Sequence, residues 1–311
     1  MSSASSFDAV LVIAFGGPES MDEVRPFLAR VLAGRPVPPE RLEEVVHHYE
    51  LIGGRSPLNE ITRRQAHALQ AALASGGSTL PVAIGMRNSA PFIVDTLREL
   101  RARGCRCVLG VIMAAHESEA SHGRYREAVL AAQRELGAEA PEVHYCAGFH
   151  DHAGFIAANV AHTRAALLQL PEAERAGAPL LFTAHSIPTA TAERSPYVQQ
   201  ITRSAALVTA ELGAGSPLIA YQSRSGSPRD PWLEPDVNAV VRAQAAQGVR
   251  ALVLCPIGFV CDHVEVLYDL DVEAAQTARA AGVTLARAQA VNDHPAFIDA
   301  LAERVREAAA R

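Results

Sequence analysis

Two groups of residues in this 311-residue chain have the types and spacing to do chemistry: a histidine at the end of an apolar run, and a row of carboxylates on one helical stretch. In LLFTAHSIP, His185 directly follows the run, which places it at the carboxyl end of a strand. In open parallel sheets that edge is where ligands bind. An imidazole there can serve as a base or a metal ligand near neutral pH, or it can merely cap the strand end. In CPIGFVCDHVEVLYDLDVEAA, a strand and loop lead into a helix expected to start near Asp262, with Asp262 and Glu265 spaced as a capping box. Glu265, Asp269 and Glu273 then recur at i, i+4 and i+8, which stacks three carboxylates on one face. Like charges at that spacing repel. Such a row suits the holding or handing on of a divalent cation, although a solvated acidic face has the same pattern. His263 beside it reads as a capping or surface histidine.

Two loops could complete a ligand site. AFGGPES follows the first apolar run, and Gly16-Gly17-Pro18 permits a tight turn with close approach of a flat ligand. It is neither a dinucleotide fingerprint nor a P-loop. YQSRSGSPRDPWLEP carries the only tryptophan, Trp232, near Arg224 and Arg229, a combination suited to an aromatic, anionic ligand or to a pinned surface loop.

The elements that must position these residues are legible. Apolar runs at 9–14, 81–85, 107–113, 142–145, 179–182, 218–221, 251–254 and 283–286 lack strict alternation, as expected of strands buried on both faces. Amphipathic segments at 61–74, 91–103 and 123–136 lie between them, so the chain is α/β with parallel sheets. Ser56-Pro57 marks one helix start. The His-, Gly- and Asp-rich stretch at 148–154 suggests a boundary, giving domains 1–150 and 151–311 with four strands each. The last segment, 295–310, reads as a helix that can pack back on the first domain.

Composition removes other functions. All 28 basic residues are arginine, so a P-loop lysine, a Schiff-base lysine and a lysine base are excluded. The net charge of -6 argues against bulk nucleic-acid binding. Five scattered cysteines make neither a disulfide framework nor a zinc ribbon. No stretch suggests an integral membrane segment or a signal peptide, and a cytoplasmic location is expected.

Taken together, AFGGPES, HHYELIGGRSPLNEIT, GMRNSAPF, FTAHSIP, YQSRSGSPRDPWLEP and CPIGFVCDHVEVLYDLDVEA resemble the ferrochelatase family nearly end to end. The detail is similar to its soluble bacterial branch, many of whose members use coproporphyrin III. The resemblance implies two Rossmann-like domains, each with a four-stranded parallel sheet flanked by helices, and a porphyrin cleft between them. It implies that His185 and Glu265 face the macrocycle as the catalytic pair. It also implies that His185, Glu265, Asp269 and Glu273 contact or guide the metal. Phe15, Arg35, Ser56, Arg87 and Trp232 are the expected substrate contacts. Porphyrin and Fe²⁺ are then the substrates and no permanent cofactor is needed. A [2Fe–2S] cluster is not expected, since no cysteine follows Cys261. Other haem-pathway enzymes are conceivable partners. Two departures stand out. Phe15 occupies a position where some relatives have tyrosine. MAAHESEASHGRY replaces a Ser/Tyr-rich segment, which brings His116 and Glu117 into a region expected to line the cleft. Which arginines meet the propionates, and whether coproporphyrin III or protoporphyrin IX is used, stay open. Two other readings do as well: a haem or porphyrin carrier on the same fold, and a chelatase for another metal.

Overall fold

A computed structural model of the chain describes residues 7–34, 38–225 and 230–311. All eight apolar runs form strands: β1 (Ala9–Ala14), β2 (Val82–Met86), β3 (Cys107–Ile112), β4 (Glu142–Tyr145), β5 (Leu180–His185), β6 (Leu218–Gln222), β7 (Ala251–Cys255) and β8 (Thr284–Arg287). They make two four-stranded parallel sheets, ordered β2-β1-β3-β4 and β6-β5-β7-β8. The two orders are the same pattern used twice. In each sheet the chain moves one way from the first strand to the second, then crosses back to lay down the other two. That reversal opens a crevice at the carboxyl end of the first strand, where side loops depart in opposite directions. In the first sheet this end is followed by Phe15; in the second it is His185.

The physical cause of the sheets is continuous burial. Every residue of β1 and β7 is buried, as is β5 up to Ala184, so these central strands need no polar face. In the first sheet Leu11 and Ile13 pack against Ile93 and Leu97 from one helix and Tyr125 and Val129 from another. In the second, Leu252 and Leu254 pack against Val237, Val241, Val266 and Leu270.

The described chain divides into two compact units. One comprises Met1–Ala114, Ser121–Phe149 and Pro295–Arg311; the other comprises Ala115–Ala120 and His150–His294. The division therefore differs from a single cut at 150 in two places. The final helix, Pro295–Ala309, groups with the first unit, where Phe297 meets Phe149 edge to face at 5.3 Å. Residues 115–120 group with the second, because they bond to its helix Tyr197–Leu212: the buried His116 ring meets Ser204 Oγ at 3.0 Å, and the Glu117 amide donates to Gln200 Oε1 at 2.7 Å.

Candidate active site

His185 is the last residue of β5, paired in register with Gln222 of β6. Its backbone is fixed from two sides. The buried Tyr197 hydroxyl donates to the His185 carbonyl at 3.0 Å, and the Ser186 amide donates to the Gln222 carbonyl at 2.7 Å. The turn after β7 presses on the same strand end. Gly258 N–H donates to Thr183 O at 3.0 Å, and a Cβ at Gly258 would lie 2.5 Å from Ala184 Cβ. Only glycine lets this turn lie so close to the strand that carries His185.

The turn leads to the acidic helix, and here two expectations are corrected. The helix begins at Val264, and its N-cap is His263, whose Nδ1 accepts from Glu265 N–H at 3.1 Å. Asp262 does not form a capping box. Its carboxylate is turned away to Arg287 and to the Asn292 amide, with Nη1–Oδ1 and Nδ2–Oδ2 distances of 2.8 Å each. A cation and an amide reached through tertiary folding outcompete the local backbone donors.

The helix is α over Val264–Tyr268, π over Asp269–Ala274 and α again over Ala275–Ala280. The wide turn answers a problem in the spacing. Val266, Leu270, Ala274 and Ala278 recur every four residues, and all four are fully buried. At 3.6 residues per turn each such step overshoots by roughly 40°, so the stripe would drift off the core within three steps. A π turn advances less per residue and restores the alignment. Asp269 lies close enough to Glu265 and Glu273 for their charges to interact.

The His185 and Glu265 side chains are 29% and 37% exposed, shielded yet open to a ligand, with Nδ1 and Oε2 3.1 Å apart. Burial disfavours the imidazolium, but the charge and hydrogen bond of Glu265, helped by Asp269, outweigh it and hold His185 above its usual range. Burial likewise opposes the Glu265 carboxylate; His185 reverses this and draws Glu265 down to about 2. A carboxylate only accepts, so Nδ1 carries the proton toward Glu265, and in neutral His185 the lone pair is on Nε2. His263 behaves oppositely: burial lowers its pKa, and its cap needs Nδ1 unprotonated. It is a structural cap.

Asp269 is pushed up to about 7, first by burial and then by Glu265 and Glu273, against the opposing hydrogen bond from Ser223 Oγ. Its folded pKa exceeds the unfolded value of 3.8, so ionised Asp269 destabilises the fold. That cost is complete above about pH 7, falls as pH drops below it, and vanishes below 3.8, where both states are protonated. Asp269→Asn keeps an acceptor for Ser223 and removes the charge. At pH 8 it is expected to stabilise by about 1–3 kcal/mol, raising Tm by about 2–6 °C, with the gain shrinking at pH 5. Equal Tm values for the two proteins at pH 8, measured by calorimetry, would refute a strained carboxylate.

Trp232 joins this site through its backbone. It bridges to Pro188, while Thr189 N donates to Pro231 O and Leu233 N to Ile187 O, each at 3.0 Å, so its strand-like segment lies along the loop leaving His185. The Arg224 guanidinium lies 6.0 Å from the ring centre of Trp232. The indole N–H is buried with no partner among the described residues. Arg229 lies outside them.

In the first unit, Phe15, Ser56 and Arg87 gather at the carboxyl edge of β1 and β2. Arg87 donates its amide to Ala14 O at 3.0 Å and places its guanidinium 5.8 Å from the Phe15 ring centre. Gly16 has φ +83, and a Cβ there would strike Ser89 Oγ at 2.3 Å, so the AFGG turn requires glycine. Ser56 is buried against Gly17, and its hydroxyl accepts from Leu58 N at 3.3 Å. It supports the turn from behind. Arg35 lies outside the described residues. His116 is buried, with its ring edge-on to Phe155 and Tyr197. Among the described residues, no three His, Cys, Asp or Glu side chains form a group that could hold a metal. Nor is any of their helices long and apolar enough to cross a membrane.

Sequence reasoning missed Ser223, Gln222 and Tyr197. Gln222 donates to the Glu265 carbonyl at 2.7 Å, and Ser223, at φ 61, hydrogen-bonds Asp269. The available signal was position: Gln222 ends β6 and Ser223 follows it directly, at the same sheet edge as His185.

A family model described as Ferrochelatase matches residues 7–309. A ferrochelatase of Rhodopirellula baltica is 42% identical, covering 99% of this chain and 88% of that one. A coproporphyrin III ferrochelatase of Streptomyces griseus is 44% identical, covering 98% and 86%. Among solved structures, SirB from Bacillus subtilis with Fe³⁺ superposes with TM-score 0.58 at 14% identity, covering 97% of this chain and 95% of that one. CbiX, the terminal enzyme of sirohaem biosynthesis in denitrifying bacteria, does so with TM-score 0.55 at 14% identity, covering 96% and 99%. At that identity the two structures speak for the fold alone.

Proposed function

The chain belongs to the ferrochelatase family, and from that membership we propose that it inserts Fe²⁺ into coproporphyrin III, with His185 and Glu265 at the insertion point. The observation that carries this reading is the His185–Glu265 pair at the carboxyl end of β5, standing at the head of the Asp269 and Glu273 carboxylates. Insertion exchanges two pyrrole N–H protons for one divalent ion, so the site must take up two protons and admit a cation.

In this reading neutral His185 accepts a pyrrole proton on Nε2 while its Nδ1–H stays on Glu265, whose charge stabilises the imidazolium that forms. Asp269, at about 7, is half-protonated near neutrality and suits onward transfer of the proton. Glu273 is exposed and continues the row toward solvent. The same carboxylates, alternately relieved of charge, give Fe²⁺ weak and successive oxygen contacts instead of one tight site. Iron is therefore written as substrate, met by His185, Glu265, Asp269 and Glu273. Phe15, Arg87 and Trp232 are taken as porphyrin contacts, with Ser56 behind the turn, and Arg35 as a further partner for propionates. No resident cofactor enters this reading.

The test is anaerobic Fe²⁺ insertion followed by absorbance, with coproporphyrin III and protoporphyrin IX side by side. Faster turnover of coproporphyrin III supports the reading. Faster turnover of protoporphyrin IX keeps the chemistry and overturns the substrate. Binding of both with turnover of neither identifies a porphyrin carrier.

A further inference from the structure

Arg287 has no part in the chemistry described above, yet all three of its guanidinium nitrogens are hydrogen-bonded within the second unit. It ends β8 with its side chain 15% exposed. One edge of the guanidinium grips Asp271, with Nε–Oδ1 at 2.5 Å and Nη2–Oδ2 at 2.9 Å. The remaining nitrogen, Nη1, reaches Asp262 Oδ1 at 2.8 Å and the Ala288 carbonyl at 3.1 Å. Asp262 is locked in turn. Its Oδ2 accepts from Asn292 Nδ2 at 2.8 Å, its own amide donates to Asn292 Oδ1 at 2.9 Å, and Oδ1 also receives Ala290 N–H at 3.4 Å. Asn292 holds φ 44, a left-handed conformation that this double contact with Asp262 accompanies.

The two carboxylates gripped by Arg287 flank Glu265 and Asp269 in sequence, and Asp271 precedes Glu273 by two residues. Asp262 stands just before the helix, three residues ahead of Glu265. Asp271 lies inside the π turn, between Asp269 and Glu273. One rigid cation thus spans the start of the helix and its wide turn. A π turn is an uncommon geometry that competes with plain α-helix. Reverting to α-helix would rotate Asp269 and Glu273 relative to Glu265 and swing Asp271 off the planar fork, whose geometry matches a carboxylate bidentately.

We propose that Arg287 is a positioning residue for iron insertion: by clamping Asp262 and Asp271 together it holds the π turn in the register that lines up Glu265, Asp269 and Glu273. This rests on the chelatase reading, and it assigns work to a residue that touches neither substrate. Lysine cannot replace it, because an ammonium lacks the fork. Arg287→Lys therefore keeps the charge and loses the register.

Arg287→Lys and Asp271→Asn are to be compared with the unmodified protein in two measurements. The first is steady-state insertion, with active sites counted by porphyrin binding. Both variants are expected to lose tenfold or more in kcat per bound porphyrin and to need more Fe²⁺, with porphyrin affinity unchanged. A residue that only supports the fold would lower Tm and leave kcat per bound porphyrin alone, and that result overturns the proposal. The second is hydrogen exchange across residues 262–275, which needs no activity. Faster exchange confined to this segment in both variants supports the clamp, and exchange equal to the unmodified protein overturns it. Should the unmodified protein insert no iron, the functional reading fails by itself and the exchange measurement still decides the clamp. Asp271→Asn leaves the Arg287–Asp262 contact in place, which keeps a folded variant available if Arg287→Lys does not fold.

Discussion

His185→Ala is expected to cut the insertion rate by about 10²–10⁴-fold, the range ordinarily carried by a positioned acid–base group, while porphyrin still binds. The Nδ1 side of the ring is committed to Glu265, so Nε2 is the atom left to receive a pyrrole proton. The neighbouring imidazole is not a comparable base: His263 spends Nδ1 on the helix cap, and its pKa is lowered by burial. The contacts that hold the site are made by backbone and survive the change. Tyr197 bonds the His185 carbonyl, and the Trp232 segment is zipped to Ile187 through Thr189. Single-turnover absorbance with a parallel porphyrin fluorescence titration separates the two effects. Lost binding with normal turnover of whatever porphyrin is bound would move His185 from base to mere contact.

Glu265→Gln has the second largest expected effect, and its direction is specific. The carboxylate lifts the His185 pKa against the pull of burial, so in the unmodified enzyme activity is present above that raised value and is lost as pH falls through it. Glutamine leaves burial less opposed, and the His185 pKa drops. The acid limb of kcat/KM therefore moves to lower pH, so that the variant retains a larger share of its own maximum in mild acid. The maximum itself falls, on the order of 10²-fold, because no charge remains to stabilise the imidazolium. A pH–rate profile from about pH 5 to 9 reads both. An acid limb that stays put while the plateau falls would show that the limb belongs to another group, with Asp269 the next candidate.

The alanine and glutamine variants act on the same pair, so their effects should not add. His185→Ala/Glu265→Gln is expected to resemble His185→Ala alone, since a carboxylate with no imidazole to orient has lost its role.

Much of the fold was legible from the chain. Seven of the eight strands are read to within a residue at each end, and β5 runs three residues past its apolar run to His185, because their cause is local: continuous Val, Ile and Leu runs that can be satisfied only by burial on both faces, separated by amphipathic stretches. His185 and the Glu265, Asp269 and Glu273 spacing were legible for the same reason, since strand ends and four-residue periods are short-range properties.

Tertiary structure decided what those residues face. Asp262 and Glu265 have the local form of a capping box, yet Arg287 and Asn292, 25 and 30 residues away, claim the aspartate and leave the cap to His263. A four-residue period predicts stacked carboxylates on an α-helix. That they stay close through a π turn depends on a core which must bury Val266, Leu270, Ala274 and Ala278 together. Ser56, an expected pocket residue, packs against Gly17, while His116, in an altered motif, is drawn to Ser204, 88 residues on. The sequence determined which elements form and which residues stand at their ends, because propensity and periodicity act over a few residues. Only the folded chain decided which partner each polar group takes, because hydrogen bonds and ion pairs go to the nearest suitable group in space, wherever it lies in sequence.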